Sequence, residues 1–338
     1  MISGGMRFGL IGAGAIAQTY AQAFAHSTSA KLVGVTDVRL EAAQTLGERL
    51  HCPAFTSYEQ MCEETDCEAA VVSTPPATHP EVCCWLLERG ISVLCEKPLA
   101  INPADARMML AAEKQSTATL KMASKFRYVS DVIEAKSIIA SGVIGDVVLL
   151  ENAFTSRVDM TNRWNSDPTV SGGGVLIDNG THSVDVIRYF LGPIAEIQVV
   201  EGRRVQDIPV EDTVHVFVRS AKGVMATIDL SWSVNKELPY YLSVYGSAGT
   251  LHVGWKESKY RRAGDAEWTS FGSGYDKVQA FSSKLDNFVR SIRGIEPSLI
   301  SLQDALASVE VIDAAYDAMW RSTWAAVETS LSQSVSVC

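Results

Sequence analysis

The sequence predicts an α/β protein with two domains: a doubly wound parallel sheet in residues 1–125, and an α+β domain with a large, mostly antiparallel open sheet in residues 126–338. Three observations predict this arrangement. A glycine-rich turn joins the first apolar strand to a helix, strands and helices then alternate, and period-two apolar patterns dominate the later chain. A length of 338 residues also exceeds that of one ordinary domain.

The first predicted element is a strand that leads at once into a tight turn and a helix. The apolar run over residues 7–11 ends at Gly12, and helical composition begins near Ala15. In this context G-x-G-x-x-A is typical of dinucleotide binding, because Gly12 permits the turn and Gly14 lets the backbone approach a pyrophosphate. Free N–H groups at the helix start then face the anion. The predicted contacts are Gly12, Gly14, Ala15 and Ile16.

The second predicted strand, residues 31–36, ends in an acidic residue. Asp37 lies 23 residues beyond Gly14, where a carboxylate can accept both ribose hydroxyls of a dinucleotide and repel a 2′-phosphate. This position favours NAD as the cofactor. Arg39 could instead bind a 2′-phosphate, so NADP stays open.

Two further predicted strands end in polar segments. Apolar residues 69–73 lead into Thr-Pro-Pro at 74–76, and residues 91–95 lead into Glu-Lys-Pro at 96–98. Ligands of parallel sheets bind at the carboxyl ends of the strands, which is where both segments fall. The lysine there is either a surface cation or a fixed ammonium that stabilises a developing alkoxide.

One later helix carries ionisable residues at helical spacing. Residues 175–191 form an apolar-periodic run that stops before a Gly-Pro pair. On this helix Asp178, His182 and Asp185 share one face. A carboxylate one turn before an imidazole can orient and charge-stabilise a general base, whereas the alternative interpretation is a solvated polar face.

Strand signals dominate after the middle of the chain. Residues 212–219 and 224–232 alternate with period two, and short turns join successive strands, which predicts an open, largely antiparallel sheet. Two late helices complete the second domain. One covers residues 281–292, and the other starts near Ser301, where Ser301 and Asp304 form a candidate cap.

The composition excludes several classes of partner and site. The chain has 47% hydrophobic and 20% charged residues, as globular domains do, and a net charge of −10, which argues against nucleic acid and anionic membranes. Residues 1–6 lack signal-peptide features, and no apolar run reaches membrane-span length, which predicts a cytoplasmic protein. Seven cysteines without a C-x-x-C pair predict neither a structural metal nor a disulfide.

These motifs occur in the same order and at similar spacing in one known family. Over about residues 6–324, the chain resembles the Gfo/Idh/MocA family of glucose–fructose oxidoreductases and inositol dehydrogenases. The glycine turn is shared by many dinucleotide-binding folds, whereas Glu96-Lys97-Pro98 combined with Asp178-x-Gly180-x-His182-x-x-Asp185 is much more specific. One departure is Pro76, where many relatives have Asn, so a side-chain contact to the cofactor is lost or supplied by backbone.

The resemblance implies a catalytic set of Lys97, Asp178 and His182. Lys97 would contact the substrate hydroxyl near the nicotinamide ribose, and His182 would accept the proton. Asp178 would bind substrate or hold His182, and Asp185 fits the motif with a structural role as the alternative. The implied cofactor contacts are Thr74, Pro75, His79, Glu96 and Lys97.

The implied reaction is hydride transfer between a nicotinamide and a secondary alcohol or ketone of a sugar, cyclitol or sugar derivative. The polar segment from Thr155 to Gly174 is either the substrate loop, since aromatic and amide groups suit a sugar ring, or an ordinary surface loop. By resemblance, Arg127 would border the active site, and subunits would form dimers or tetramers through the C-terminal sheet. The predicted substrate contacts are Lys97, Arg127, Arg163, Trp164, Asp178 and His182.

Two alternatives stay open. A dinucleotide-sensing regulator of the same fold needs the glycine turn but not Lys97, Asp178 and His182, whose joint presence argues against it. Reduction of a keto-sugar in a biosynthetic pathway uses the same groups in reverse, and the sequence does not separate the two directions.

Overall fold

The computed structural model describes residues 5–327, and the chain divides into two compact units. Within that range, the first unit comprises residues 5–128 and 277–306, and the second comprises residues 129–276 and 307–327. The prediction that the chain lacks a signal peptide concerns residues 1–6, and residues 1–4 lie outside the described range. None of the helices in residues 5–327 combines the length and the apolar character that crossing a membrane requires.

The elements are numbered in chain order. The strands are β1 (Met6–Ile11), β2 (Ala30–Thr36), β3 (Ala54–Phe55), β4 (Ala69–Val72), β5 (Ser92–Glu96), β6 (Leu120–Ala123), β7 (Val147–Thr155), β8 (Ile194–Glu201), β9 (Thr213–Ser220), β10 (Met225–Ser231), β11 (Tyr240–Gly246), β12 (Gly249–Gly254), β13 (Ser258–Arg262), β14 (Thr269–Gly272) and β15 (Ala325–Ala326). The helices are α1 (Ala15–His26), α2 (Leu40–Leu50), α3 (Tyr58–Thr65), α4 (His79–Glu88), α5 (Pro103–Gln115), α6 (Ser130–Ala140), α7 (Pro168–Ser171), α8 (Val175–Leu191), α9 (Lys277–Ile292) and α10 (Leu302–Arg321).

The first unit is built on a six-stranded parallel sheet with the strand order β3-β2-β1-β4-β5-β6. Strands β4 and β5 are buried along their whole length, as expected for strands with helices on both faces. The strand order reverses between β1 and β4, and ligands of such sheets bind outside the carboxyl ends of the strands at this point. The predicted doubly wound sheet is confirmed.

Helix α9 packs on the first unit, although the chain reaches it only after most of the second. Its residues Phe281, Leu285 and Phe288 join a buried apolar core that includes Phe8 and Tyr20. The rings of Phe8 and Phe288 lie 6.0 Å apart. The domain boundary predicted at residue 126 assigns this helix to the second domain. An amphipathic pattern does not reveal which sheet a helix covers, so the sequence could not show its place in the first unit.

The second unit contains a nine-stranded sheet in the order β14-β13-β12-β11-β7-β10-β9-β8-β15. Its neighbouring strands pair antiparallel, except that β7 and β10 run parallel. The predicted, mostly antiparallel sheet is confirmed. Along β9, Val214, Val216 and Val218 are buried, whereas His215 and Phe217 lie on the outer face.

Helix α8 packs against the buried face of this sheet. An added Cβ at Gly180 would lie 3.2 Å from Leu230 of β10 and 3.5 Å from Ile312 of α10, so glycine permits close packing. His182 and Asp185 are both buried. Burial excludes the solvated polar face that the spacing of these residues alone would allow.

Candidate functional site

The glycine turn after β1 has the geometry that its sequence predicts. Gly12 adopts a φ of +95°, a left-handed conformation, and an added Cβ would lie 2.8 Å from the carbonyl oxygen of Ser73. The Gly12 N–H donates to the Thr36 carbonyl at 2.8 Å. Glycine is therefore required where β1 turns between the ends of its two neighbouring strands.

The N-terminus of α1 is open to an anion. Gly14 is the N-cap, and within residues 5–327 no side chain caps the helix. Beyond its chain neighbours, a Cβ added at Gly14 would meet no heavy atom of the described residues within 4 Å. The N–H groups of Ala15 and Ile16 can therefore bind a pyrophosphate, and a dinucleotide fits this end of the sheet.

Asp37, just past the end of β2, is fixed by the turn. Its Oδ2 accepts the Ala13 N–H at 2.9 Å, and its Oδ1 accepts the Arg39 N–H at 3.0 Å. Arg39 Nε lies 3.4 Å from the same Oδ1, yet the Arg39 side chain is 71% exposed, compared with 11% for Asp37. Asp37 is thus placed to meet ribose hydroxyls, while the exposed guanidinium of Arg39 keeps the NADP alternative open.

His79 joins the segments that follow β4 and β5. Its ring is fully buried, with Nε2 3.0 Å from the Thr74 carbonyl oxygen and Nδ1 3.0 Å from the Pro98 carbonyl oxygen. Burial lowers the pKa of His79, although the surrounding carbonyl groups raise it. His79 therefore holds these segments in place, and Thr74 and Pro75 remain partly exposed at the strand end.

Glu96, the last residue of β5, lies in a buried polar cluster. Its Oε1 accepts hydrogen bonds from Tyr20 Oη at 2.7 Å and from Lys284 Nζ at 3.0 Å. Its Oε2 accepts the Lys97 N–H at 3.3 Å. Burial opposes ionisation, but Lys284 and the hydrogen bonds outweigh it and hold the pKa of Glu96 below its usual value. The half-buried Lys97 follows directly.

Arg127 is an anchoring residue of the first unit. Its side chain is buried, and Nη1 lies 3.4 Å from Asp304 Oδ2 and 3.5 Å from the Leu299 carbonyl oxygen. Asp304 belongs to the predicted cap, which is present, since Ser301 Oγ accepts the Asp304 N–H at 3.0 Å. These contacts give Arg127 a structural role at the start of α10, and its contact with substrate stays a prediction.

A second buried glutamate, Glu211, holds the start of α8. Its Oε1 accepts the N–H groups of Gly174 and Leu176, each at 3.0 Å, and the hydroxyl of Tyr316 at 2.9 Å. Burial raises the pKa of Glu211, although these hydrogen bonds lower it. An added Cβ at Gly174 would lie 2.1 Å from the Glu211 carbonyl oxygen, so only glycine allows this approach.

Helix α8 carries Asp178 and His182 one turn apart, as their spacing predicts. The His182 ring is nearly buried and meets Phe154 edge-on, with ring centroids 6.4 Å apart. Asp178 is half-buried and Asp185 is fully buried. The structure thus places Asp178 and His182 together on one helix of the second unit, whereas Lys97 belongs to the first unit.

The segment from Thr155 to Gly174 is more ordered than a simple loop. A 3-10 turn covers Trp164–Ser166, and the short helix α7 follows. Arg163 and Trp164 are exposed. Short helical turns therefore fix this polar segment, and its contact with substrate stays a prediction.

A cleft of about 780 Å³ opens in the second unit beside Thr155. Its walls include Asn235, Tyr240 and Trp255. The Trp255 ring lies 6.3 Å from that of Phe154, which in turn meets His182. A continuous set of aromatic contacts thus links this cleft to the candidate general base.

Sequence reasoning missed the residues that hold the candidate groups in place, namely Tyr20, Lys284, Glu211 and Tyr316. For Lys284 a signal existed: it falls on the same face of α9 as Phe281, Leu285 and Phe288, all of which are buried. An ionisable residue on an apolar helix face needs a buried partner. For Glu211 the surrounding sequence offered no comparable signal.

Segments from both units match models of known protein families. Residues 6–124 match an oxidoreductase family with an NAD-binding Rossmann fold, and residues 132–252 match the GFO/IDH/MocA C-terminal domain. The chain belongs to the GFO/IDH/MocA family. The resemblance of the sequence motifs is thereby confirmed, and with it an NAD-binding oxidoreductase.

The known proteins to which the chain is similar carry several substrate names. Inositol 2-dehydrogenase of Rhizobium meliloti is 26% identical and aligns over 92% of this chain and 96% of that protein. Trans-1,2-dihydrobenzene-1,2-diol dehydrogenase of Mus musculus is also 26% identical, over 73% of this chain and 74% of that protein. Levoglucosan dehydrogenase, solved with NADH and levoglucosan, superposes with a TM-score of 0.89 at 19% identity, covering 96% of this chain and 100% of that chain. The superposition shows a shared fold.

Proposed function

We propose that the protein is a cytoplasmic, NAD(P)-dependent dehydrogenase or reductase acting on a secondary alcohol or ketone of a sugar, cyclitol or sugar derivative. The observation that carries this proposal is helix α8, which presents Asp178 and His182 one turn apart. The His182 ring meets Phe154, whose ring in turn lies near Trp255 of the cleft. Aromatic faces suit the C–H groups of a polyol ring, and imidazole and carboxylate groups suit its hydroxyls. Relatives named for inositol, a dihydrodiol and levoglucosan support the same class.

Each proposed catalytic residue has one task in the oxidation direction. Bound NAD(P) supplies the hydride acceptor, and the glycine turn, the N-terminus of α1 and Asp37 would hold it. His182 takes the hydroxyl proton, since an imidazole nitrogen can accept a proton in oxidation and return it in reduction. Lys97 stabilises charge on the reacting oxygen, and Asp178 orients His182 or holds a neighbouring hydroxyl.

Dinucleotide titration tests the cofactor half of the proposal. Fluorescence-monitored binding of NADH and NADPH to the purified protein should show tighter binding of NADH, because the fixed carboxylate of Asp37 repels a 2′-phosphate. Equal affinities would show that Asp37 does not set the preference and that Arg39 contributes.

Replacement of His182 tests the chemical half. In a panel of sugars and cyclitols, His182→Ala should lower turnover by ~10²–10⁴-fold while NADH binding survives. His26→Ala, at the exposed C-terminal end of α1, is the matched control and should keep wild-type turnover. Normal turnover in His182→Ala would remove this residue from the mechanism. Tight dinucleotide binding without turnover of any polyol or keto-sugar would favour the sensor alternative.

We also propose that the outer face of the nine-stranded sheet forms a subunit interface. Val200, Phe217 and Met225 point to this side from β8, β9 and β10 and are 52%, 38% and 56% exposed. Exposed apolar residues clustered on one face are typical of interaction surfaces. Light scattering should give a dimer or tetramer, and Phe217→Glu should shift the mass downward. An unchanged mass in that variant would reject this face as the interface.

A further inference from the structure

The Glu96 carboxylate joins three parts of the first unit. Tyr20 of α1 and Lys284 of α9, 76 and 188 residues away in the chain, both bond to Oε1, and Oε2 accepts the Lys97 N–H. We propose that Lys284 is a positioning residue for Lys97: its ammonium fixes the Glu96 carboxylate, and the carboxylate fixes the backbone from which the Lys97 side chain starts. The inference rests on the proposed function in the role given to Lys97.

Lys284 is held far more closely than a surface lysine. Its side chain is 1% exposed, and its Nζ lies 3.8 Å from the ring centroid of Phe281 and 4.7 Å from that of Tyr20. Two aromatic rings and a carboxylate therefore surround the ammonium. Burying an ion pair costs desolvation, and well-packed apolar residues often serve stability as well or better. Stability alone therefore does not account for a lysine here, whereas a fixed carboxylate beside Lys97 does.

Lys97 shares its strand end with other cations. Strands β5 and β6 pair with Glu96 opposite Ala123, which brings Lys125 to the same edge of the sheet. Burial, and then the charges of Lys97 and Lys277, lower the pKa of Lys125 to about 8. Because neighbouring ammonium groups repel one another, a fixed backbone is needed to keep the Lys97 side chain in one position. The Glu96 carboxylate supplies this anchor together with a compensating negative charge.

The first test measures Lys97 directly and needs no substrate. The full chain is treated briefly with an amine-reactive anhydride, and mass spectrometry gives the modification rate of Lys97 relative to that of the exposed Lys222. Lys284→Met should change this ratio several-fold, Lys284→Arg should keep it near the wild-type value, and Lys277→Met, which removes a charge but no bond to Glu96, should change it much less. Lys277 is the matched control because it starts the same helix and lies over the same Phe281 ring, at 6.0 Å.

Turnover provides the second measurement. A displaced Lys97 stabilises the transition state less well, so Lys284→Met should lower kcat by about 10–100-fold. The affinity for NADH should change less than kcat, because the glycine turn and Asp37 are untouched and only the contacts implied for Glu96 and Lys97 are disturbed. A thermal unfolding scan shows whether the variant folds. If it does not, Lys284→Gln, which removes the charge and keeps a hydrogen-bond donor at the same position, must change Lys97 labelling instead.

The outcomes separate this proposal from the proposed function. An unchanged Lys97 labelling ratio in the folded Lys284→Met protein, or in Lys284→Gln where the former does not fold, overturns the positioning role whatever the kinetics. Equal changes in Lys284→Met and Lys277→Met would reveal a general effect of helix charge and would also overturn it. If labelling responds to Lys284→Met but Lys97→Ala keeps full turnover, the positioning role stands and the catalytic role of Lys97 fails.

Discussion

Each unit contains a buried glutamate that holds a candidate catalytic group, and the pKa values of the two carboxylates are shifted in opposite directions. The pKa of Glu96 in the first unit lies below its usual value, whereas that of Glu211 in the second lies above it. Each carboxylate accepts hydrogen bonds from several residues of the described chain. The donors differ, because Glu96 faces the ammonium of Lys284, whereas Glu211 meets two backbone N–H groups and the hydroxyl of Tyr316.

The comparison separates the effect of charge from that of hydrogen bonding. Neutral donors do not offset the loss of water around the carboxylate of Glu211, whereas the ammonium of Lys284, 3.0 Å from Glu96, does so. Neutralising the two residues should therefore have different consequences. Loss of charge at Glu96 leaves a buried cation without its partner, but loss of charge at Glu211 leaves each donor with an acceptor.

The largest effect is expected for Glu96→Gln. The amide preserves the shape of the side chain but leaves Lys284 buried without a counter-charge, which should lower the free energy of unfolding by about 3–5 kcal/mol. Denaturant titration measures the loss. The control is Glu196→Gln, which breaks an exposed pair with Arg219 and should cost about 0–1 kcal/mol. Similar losses in the two variants would show that the buried pair behaves like a surface pair.

Gly174→Ala should have an intermediate effect, through geometry rather than charge. The added Cβ would lie 2.1 Å from the Glu211 carbonyl oxygen, so the start of α8 must shift, at a cost of about 1–3 kcal/mol. Because α8 carries His182, turnover should fall as well, while NADH affinity should not change. Denaturation curves and assays on the same preparation measure both quantities. A variant with wild-type stability and turnover would mean that the helix start is not tightly held.

The smallest effect is expected for Glu211→Gln, and it should depend on pH. The folded-state pKa of Glu211 is raised above the unfolded value of ~4.3. Its contribution to stability is therefore fully present below ~4.3 and is lost as pH rises through the folded pKa. Because glutamine does not titrate, the stability of the variant should rise relative to that of the wild type as the pH approaches neutrality.

Glu96 should show the opposite pH dependence. Its folded-state pKa is lowered, so its contribution is present above ~4.3 and is lost as pH falls through the folded pKa. Unfolding free energies are measured from acidic to neutral pH for the wild type and both glutamine variants. They give two stability differences, one between the wild type and Glu96→Gln and one between the wild type and Glu211→Gln. The comparison between the glutamates would fail if both differences changed in the same direction with pH.

Local signals in the sequence predicted the features that depend on nearby residues. The turn at Gly12, the bounds of α8 and the cap formed by Ser301 and Asp304 each follow from residues within one or two turns, and the structure confirms them. Glycine and capping residues act on the adjacent backbone, so their effect can be inferred without knowing the tertiary fold.

The contacts that hold the candidate site residues could not be predicted in the same way. The bond from Lys284 to Glu96 spans 188 residues, and that from Tyr316 to Glu211 spans 105. Such pairs form through the packing of distant elements, which hydrophobic periodicity does not specify residue by residue. For the same reason the spacing on α8 is also compatible with a solvent-exposed polar face around His182. Packing of the helix against the sheet buries His182 and excludes that interpretation.

The return of the chain to the first unit at Lys277 has a consequence for the synthesis of the protein. Strands β1–β6 are translated first. Lys284 lies 188 residues beyond Glu96 in the chain, so it is synthesised much later. At ribosomal rates this delay is roughly 10–40 s. During that interval the nascent sheet lacks both the α9 side of its core and the counter-charge for Glu96. The unit that is begun first is therefore completed only when most of the chain has been made.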